Sequence, residues 1–308
     1  MNEIMAEQGA PLWVNAGMLA RALLGAARGA AKGGSRPLLT GTFLEWDGEG
    51  ILSITTADGY RLYHYELTAK SESPAWDITI PAKDLAKWAR PFAGKSFDLT
   101  GLGKMALMPV ILYPPSSPVR ASYRSITLSV AGHPAVTFEE ILGAYPKYRV
   151  LIPKEHDNKW VVVAGELLRL LEDAVEELAG HKNVLLVRLI PYKGEAWLVA
   201  EATTPGEMEV AACEVAARKV AARKVSVVSP PTLITALNSR YLYDTLELYR
   251  STDMVSISVS KAGAPALFLN SQDQAFVGVV MPMFVRAPEP SWLKKVIEGA
   301  SLSEEETK

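Results

Sequence analysis

The chain has 308 residues, 49% hydrophobic and 21% charged, which is enough for about two packed domains and excludes a disordered chain. Its formal net charge of −2 and pI of about 6.2 exclude a bulk basic field, so contact with a polyanion must come from local Lys and Arg clusters. A single cysteine, Cys213, excludes an intramolecular disulfide and suits a reducing cytoplasm. Met1–Ala10 carries Glu3 and Glu7 and lacks the basic-then-apolar order of a secretion signal. No uncharged apolar run approaches the ~18 residues of a membrane span, so a membrane is not an expected partner.

A short strand at Leu12–Asn15 leads into Ala16–Lys32, Ala- and Leu-rich and proline-free, which predicts a helix that Gly33 and Gly34 stop. Strands are predicted at Leu38–Trp46, Ile51–Ala57, Arg61–Leu67 and Trp76–Ile80, with Asp47-Gly48 and Asp58-Gly59 as turns. A second helix is predicted at Pro81–Arg90, then strands at Ser96–Thr100, Met105–Leu112, Arg120–Ser122 and Ile126–Val130. The order then repeats. Trp160–Val163 is a strand and Ala164–Ala179 a helix. Strands follow at Val184–Ile190, Ala196–Ala202, Glu207–Cys213 and Val220–Val228. A helix is expected at Pro231–Leu248, and strands at Val255–Val259, Ala266–Leu269 and Ala275–Met281 close the block. Residues 287–308 read as a polar tail with one or two amphipathic turns around Trp292–Ile297.

The repeat holds at residue level. Shifted by 148, Val14–Ala27 matches Val162–Val175 at seven of fourteen positions, among them Gly17/Gly165, Arg21/Arg169 and Leu23/Leu171. Ile80-Pro81 and Ser229-Pro230 place the second helices at nearly the same offset. Two similar α+β domains are expected, 11–150 and 151–286, each an antiparallel sheet with two helices on one face.

Candidate catalytic motifs fail on their own spacing. Gly94-Lys95-Ser96 resembles the end of a phosphate loop, but Ala89 stands where the first glycine belongs and a helix precedes it. Gly25–Lys32 is followed by Gly33 in place of Ser or Thr, and Gly101 with Gly103 reads as a hairpin turn. His64, His133, His156 and His181 lack partners at ligand spacing, so no metal is expected, and Cys213 reads as a small core residue. Glu172, Asp173, Glu176 and Glu177 on one predicted helix read as a solvated face, with a paired-carboxylate site as the alternative.

The basic residues say more. Arg21, Arg28 and Lys32 recur on one face of the first predicted helix, and Lys83, Lys87 and Arg90 on one face of the second. A solvated face ordinarily mixes signs to gain i,i+4 pairs. An unmixed face on both helices of one domain points to an anionic partner such as DNA, with a plain solvated surface as the alternative. The run Arg218, Lys219, Arg223 and Lys224 reads as a charge-guarded strand edge.

Five short runs occur together in a familiar order: Arg36–Gly41 with Leu44-Glu45, Ala57–Leu62, Tyr145–Arg149, Leu237–Leu242 and Val280–Met283. In order and spacing they resemble the bacterial DNA polymerase III beta subunit, the sliding clamp, over about residues 11–286. The match is to the central and C-terminal domains of that family's three. The resemblance implies a DNA-clamp fold, with helices lining the hole of a six-domain ring around duplex DNA. It implies a non-catalytic processivity factor without a cofactor. The implied partners are duplex DNA regardless of sequence, a DNA polymerase, a clamp loader and repair proteins. It also implies self-association; with two domains per chain, six domains require three copies. Lys83 falls at a lysine that the family points at DNA.

The family's groove for partner peptides carries over onto Arg36, Leu39, Ala57, Tyr60, Arg61 and Leu62, completed by Pro146, Leu151, Val279, Met281, Pro282 and Met283. Tyr60 stands where histidine is common in the family, and Ala57 replaces a usual threonine. Independently of the family, Met, Leu, Val and Pro make an adaptable apolar floor, and Arg36 and Arg61 could orient an acidic or polar peptide. Two rival readings remain: a clamp-fold adaptor that docks replication or repair proteins without encircling DNA, and an enzyme using the acidic helix with a metal.

Overall fold

The computed structural model describes residues 10–93, 109–113, 124–155, 158–178, 184–202, 220–227, 234–261, 263–270, 275–283, 291 and 294–298. The chain divides into two compact units, Met1–Leu151 and Ile152–Lys308.

In the first unit Asn15 ends β1 (Leu12–Asn15) and caps α1 (Ala16–Gly29) in one step. Its side-chain oxygen accepts the Met18 N–H at 2.9 Å, so strand passes into helix without a loop. Then come β2 (Gly41–Trp46), β3 (Ile51–Ala57), β4 (Arg61–Lys70), β5 (Trp76–Pro81), α2 (Ala82–Ala93), β6 (Pro109–Tyr113), β7 (Ser125–Val130) and β8 (Val136–Glu139). Short 3-10 turns at Pro37–Thr40 and Tyr148–Leu151 flank them. Antiparallel pairing runs β5-β2-β3-β4 and β1-β6-β7-β8, and β1 also pairs the end of β4 through Trp13↔Lys70 and Val14↔Ala69.

The second unit contains β9 (Lys159–Val163), α3 (Ala164–Glu177), β10 (Val184–Tyr192), β11 (Glu195–Ala202), β12 (Val220–Val225), β13 (Thr235–Asn238), α4 (Ser239–Leu246), β14 (Met254–Ser258), β15 (Ala266–Asn270) and β16 (Phe276–Val280). Its pairing is β13-β10-β11-β12 and β9-β14-β15-β16, the scheme of the first unit strand for strand. Each unit is therefore two strand–helix–three-strand halves that exchange their first strands: β1 and β9 pair within the second half, β5 and β13 within the first.

Helix α1 sits close on its sheet because its inner face is small. In α1 the buried set is Ala16, Gly17, Leu19, Ala20, Ala22, Leu23, Gly25, Ala26 and Gly29. A Cβ on Gly29 would lie 2.7 Å from the Tyr63 ring and 2.8 Å from Thr56 Oγ1, and the Thr56 hydroxyl donates to the Ala26 carbonyl at 2.6 Å. In the second unit Trp160, Leu167, Leu171, Leu189, Leu237, Leu242, Ile257 and Phe268 belong to one core between its two sheets and two helices. A smaller cluster on the other face of β10–β12 joins Ile190, Trp197 and Val199 to Ile297, from the helical residues 294–298. Part of the expected polar tail thus contributes a core side chain.

Several expected boundaries shift. Over its described residues, from 234, the helix expected at Pro231–Leu248 is strand β13 followed by α4, which begins at Ser239 and ends at Leu246. Asn238 Oδ1 accepts the N–H groups of Arg240 and Tyr241 at 2.9 and 3.3 Å, which fixes that start. The first helices keep the 148-residue offset (Ala16, Ala164), but the second begin at Ala82 and Ser239, 157 apart, not at the Pro81/Pro230 register. The strand expected from Leu38 starts at Gly41, after the 3-10 turn. β8 was not expected. Ser96–Thr100, Arg120–Ser122 and Glu207–Cys213, together with Cys213, His156 and His181, lie outside the described residues.

Candidate functional site

Helices α1 and α2 pack side by side in the first unit. Between them they present Arg21, Arg28, Lys83, Lys87 and Arg90, all exposed, against Asp84 alone. Among the described residues Arg21, Lys83, Lys87 and Arg90 enter no ion pair. The α1 row is shorter than expected: the helix ends at Gly29, so Lys32 is exposed in the turn beyond it, off the helical face. Lys87 lines a groove beside α2 as well, with Asp84 and Trp88. The second unit has the opposite sign. Helix α3 carries Glu166, Glu172, Asp173, Glu176 and Glu177 against Arg169, which pairs with Asp173 at 3.1 Å. Glu177 pairs with Arg223 of β12.

The first-unit part of the expected peptide groove surrounds the β3–β4 turn. Asp58 Oδ1 accepts the N–H groups of Tyr60 and Arg61 at 2.9 and 3.0 Å, and Gly59 takes φ +95°, the left-handed region that favours glycine. This turn lifts Tyr60 to 63% exposure. Arg61 does not reach outward as expected. Its Nε bonds Asp58 Oδ2 at 3.0 Å and its guanidinium lies 5.7 Å from the Tyr63 ring, so it braces the turn. Arg36 is exposed, with Nη1 close to Gly59.

The Tyr145–Arg149 run lies over the same unit's sheet. Tyr145 stacks on Phe43 at 4.8 Å, Tyr148 donates to Glu45 Oε2 at 3.1 Å, and Arg149 pairs with Glu45 at 2.8 Å. Burial pushes the Tyr148 phenol up to about 12, which keeps it a neutral donor. Burial also holds His64, 5.3 Å from the Tyr148 ring, below the usual histidine range. Anchored in this way, the chain leaves Pro146, Val150 and Leu151 exposed, the last two at 80% and 55%.

Other members of the expected floor are core residues: Leu39, Ala57 and Leu62 in the first unit, Val279 and Pro282 in the second. They support a surface and do not line one. Met281 is exposed at 37%, Met283 is half-buried, and the Met283 N–H donates to the Ala236 carbonyl at 2.8 Å, tying the segment to β13. The apolar groups on offer are therefore Tyr60, Val150 and Leu151 in one unit and Met281 in the other. Val150 has no signal in sequence beyond its position beside Leu151. Among the described residues no group of three His, Cys, Asp or Glu side chains could hold a metal ion, and no helix is long and apolar enough to cross a membrane.

No family model matches the chain. Among curated proteins it is similar to the beta sliding clamp of Synechococcus elongatus, 23% identical over 255 residues, covering 82% of this chain and 60% of that protein. It is also similar to the beta sliding clamp of Synechocystis sp., 23% identical over 279 residues, covering 89% and 65%. The chain thus spans less than two thirds of the length of these relatives. Among solved structures it superimposes on the DNA polymerase sliding clamp from Bacillus subtilis with a TM-score of 0.69 at 16% identity, over 91% of this chain and 66% of that one. It superimposes on the beta subunit of the Streptococcus pyogenes DNA polymerase with a TM-score of 0.70 at 17% identity, over 89% and 66%. The chain has the fold of bacterial DNA polymerase sliding clamps, and it is similar in sequence to beta sliding clamps across both of its units.

Proposed function

We propose that this protein is a DNA sliding clamp, a non-catalytic processivity factor that encircles duplex DNA and tethers a replicative polymerase. The observation that carries this reading is the clamp fold repeated in both units, with a predominantly basic surface on the helices of the first. Phosphate contacts through Lys and Arg are independent of sequence and exchange quickly, so such a surface holds DNA without fixing a position on it. Topology then prevents escape. A polymerase bound to the clamp gains effective concentration at the primer end without any new contact to DNA.

The protein associates with itself in this reading: three copies of the two units supply six clamp units, and a head-to-tail interface closes when each copy turns through a third of a circle. Two copies would supply four, too tight a circle for a duplex and its lining helices. Polymerase, clamp loader and repair proteins dock by short peptides on exposed apolar side chains, Tyr60 and Leu151 of the first unit and Met281 of the second. Arg36 lies beside the turn that carries Tyr60. A cytoplasmic location accords with this role. A second reading, an adaptor that docks partners without encircling DNA, is favoured by the carboxylates of α3, which face a polyanion poorly.

The docking surface is tested with Leu151→Ala combined with Met281→Ala. Both side chains are exposed, so folding and oligomer mass should stay unchanged, whereas Leu62→Ala would open a core cavity. A fluorescent peptide bearing the polymerase's clamp-binding motif should lose at least about tenfold in affinity, since these apolar groups anchor it. Wild-type affinity in the double variant would remove these residues from the site.

A further inference from the structure

Each unit closes the outer face of one sheet with the segment that follows its last described strand. In the first unit the Ile141 N–H donates to the Thr79 carbonyl on β5 at 2.8 Å. The chain then crosses onto β2, where Tyr145 stacks on Phe43 and Arg149 pairs with Glu45. In the second unit the Met283 N–H donates to the Ala236 carbonyl on β13, the equivalent edge, at 2.8 Å. The helical residues 294–298 then lie on β10–β12. Ile297, 2% exposed, enters an apolar platform of Ile190, Trp197, Val199 and Ala222 on the face away from α3. Glu298 pairs at 3.2 Å with Lys193 of the β10–β11 turn, and the Lys193 ammonium lies 5.3 Å from the Tyr192 ring. The resemblance to sliding clamps ends at about residue 286, before this segment.

The two closures differ in strength. The first uses two tyrosines, and the buried Tyr148 also bonds Glu45 at 3.1 Å. In the second, of residues 291 and 294–298, Ile297 alone is fully buried, Val296 is half-buried, and Lys294 and Lys295 are exposed. Both partners of its ion pair are exposed, so water and salt screen the attraction. Closure also carries a cost. The Trp197 indole N–H is buried without a hydrogen-bond partner among the described residues, and water would satisfy it once the platform opened. A segment held this lightly opens locally while the sheet beneath it stays folded.

We infer that residues 294–298 are a detachable clasp, occupying in cis a platform that recognises a helical turn with an apolar residue followed by an acidic one. Ile297 supplies the apolar group, and Glu298 the charge that meets Lys193. The closed clasp shuts the platform to other ligands of that chemistry, and its opening admits them. The inference holds whether or not the chain encircles DNA.

The test uses the full chain, its Ile297→Asp variant and a fluorescent synthetic peptide of residues 287–308. In wild type, the amides of 294–298 should exchange through local opening, about a hundredfold faster than those of β10 and β11 and with little dependence on low urea. Ile297→Asp should erase the protection of 294–298, leave that of β10 and β11 in place, and capture the peptide in trans. Wild type should capture it at least about tenfold less well, because the tethered clasp competes at high effective concentration. Lys193→Glu added to Ile297→Asp should weaken capture several-fold, since it sets like charges together. Exchange of 294–298 in step with β10 and β11, or loss of the sheet's protection in Ile297→Asp, would overturn the clasp and make the segment a fixed part of the core. Absence of capture by Ile297→Asp with its sheet intact, equal capture by wild type, or capture indifferent to Lys193→Glu would overturn the platform.

Discussion

Glu201→Ala is expected to destabilise the second unit by about 3–5 kcal/mol, a large share of the stability of a unit this size. Glu201 and Arg188 are 1% and 5% exposed and form an ion pair on β11 and β10. Two buried charges give up several kcal/mol of hydration each, which their attraction and hydrogen bonds offset. Removing Glu201 takes this counter-ion from a buried guanidinium that keeps its hydration cost. Replacing both by apolar residues of similar volume, Arg188→Met with Glu201→Leu, removes the hydration cost altogether and should restore most of the stability. Hydrogen exchange on the amides of β10 and β11 under increasing urea reads the effect within this unit, apart from the other. Equal protection in wild type and Glu201→Ala would show that the pair is balanced by water and not by its own contact.

Reversing Arg21, Lys83 and Arg90 together to glutamate is expected to abolish most DNA binding at moderate salt. These residues project from α1 and α2 without ion-pair partners among the described residues. Removing one phosphate-neutralising cation reduces the steepness of log K against log salt by about 0.9, so removing three flattens it by roughly 2–3. The weakening should be the same on any duplex sequence, because phosphate contacts carry no base information. Arg28 and Lys32 are left in place, since Arg28 already has an interaction partner and Lys32 lies off the helix. An unchanged slope would move the DNA surface away from these helices.

Much of the fold is legible in the sequence because its local signals agree. Asp47-Gly48 and Asp58-Gly59 mark hairpins whose glycines take positive φ. The apolar faces at Ala16–Gly29 and Ala164–Glu177 keep their spacing in both units. Two elements are obscured for identifiable reasons. β13 is four residues long and reads Thr-Ala-Leu-Asn, which suits a helix as well as a strand, so it merges with α4 in sequence. Asn238 as an N-cap is the signal that separates them. β8 follows Pro134 and is equally short; only the alternation of Val136 and Phe138 betrays it.

The candidate site is legible in position and not in exposure. Family resemblance places Arg61, Leu62 and Val279 near it, yet Arg61–Tyr65 is buried throughout, so a period of two cannot tell which face meets solvent. Tyr60, Leu151 and Met281 emerge as the exposed apolar groups only when the turn at Asp58 and the Tyr145–Arg149 anchor are seen in three dimensions. The groove beside α2 has no sequence signature. Its wall comes from residues more than forty positions apart, Lys87 to Phe138.

Retention on DNA of different topology tests encirclement most directly. The protein, loaded onto nicked circular plasmid and separated from free protein by gel filtration, should stay with the circle in salt that abolishes simple phosphate contacts. It should be released when the plasmid is cut once. Light scattering of the free protein should give the mass of three copies. Equal retention on circular and linear DNA, with a single-copy mass at micromolar concentration, would contradict the ring and leave the non-encircling adaptor.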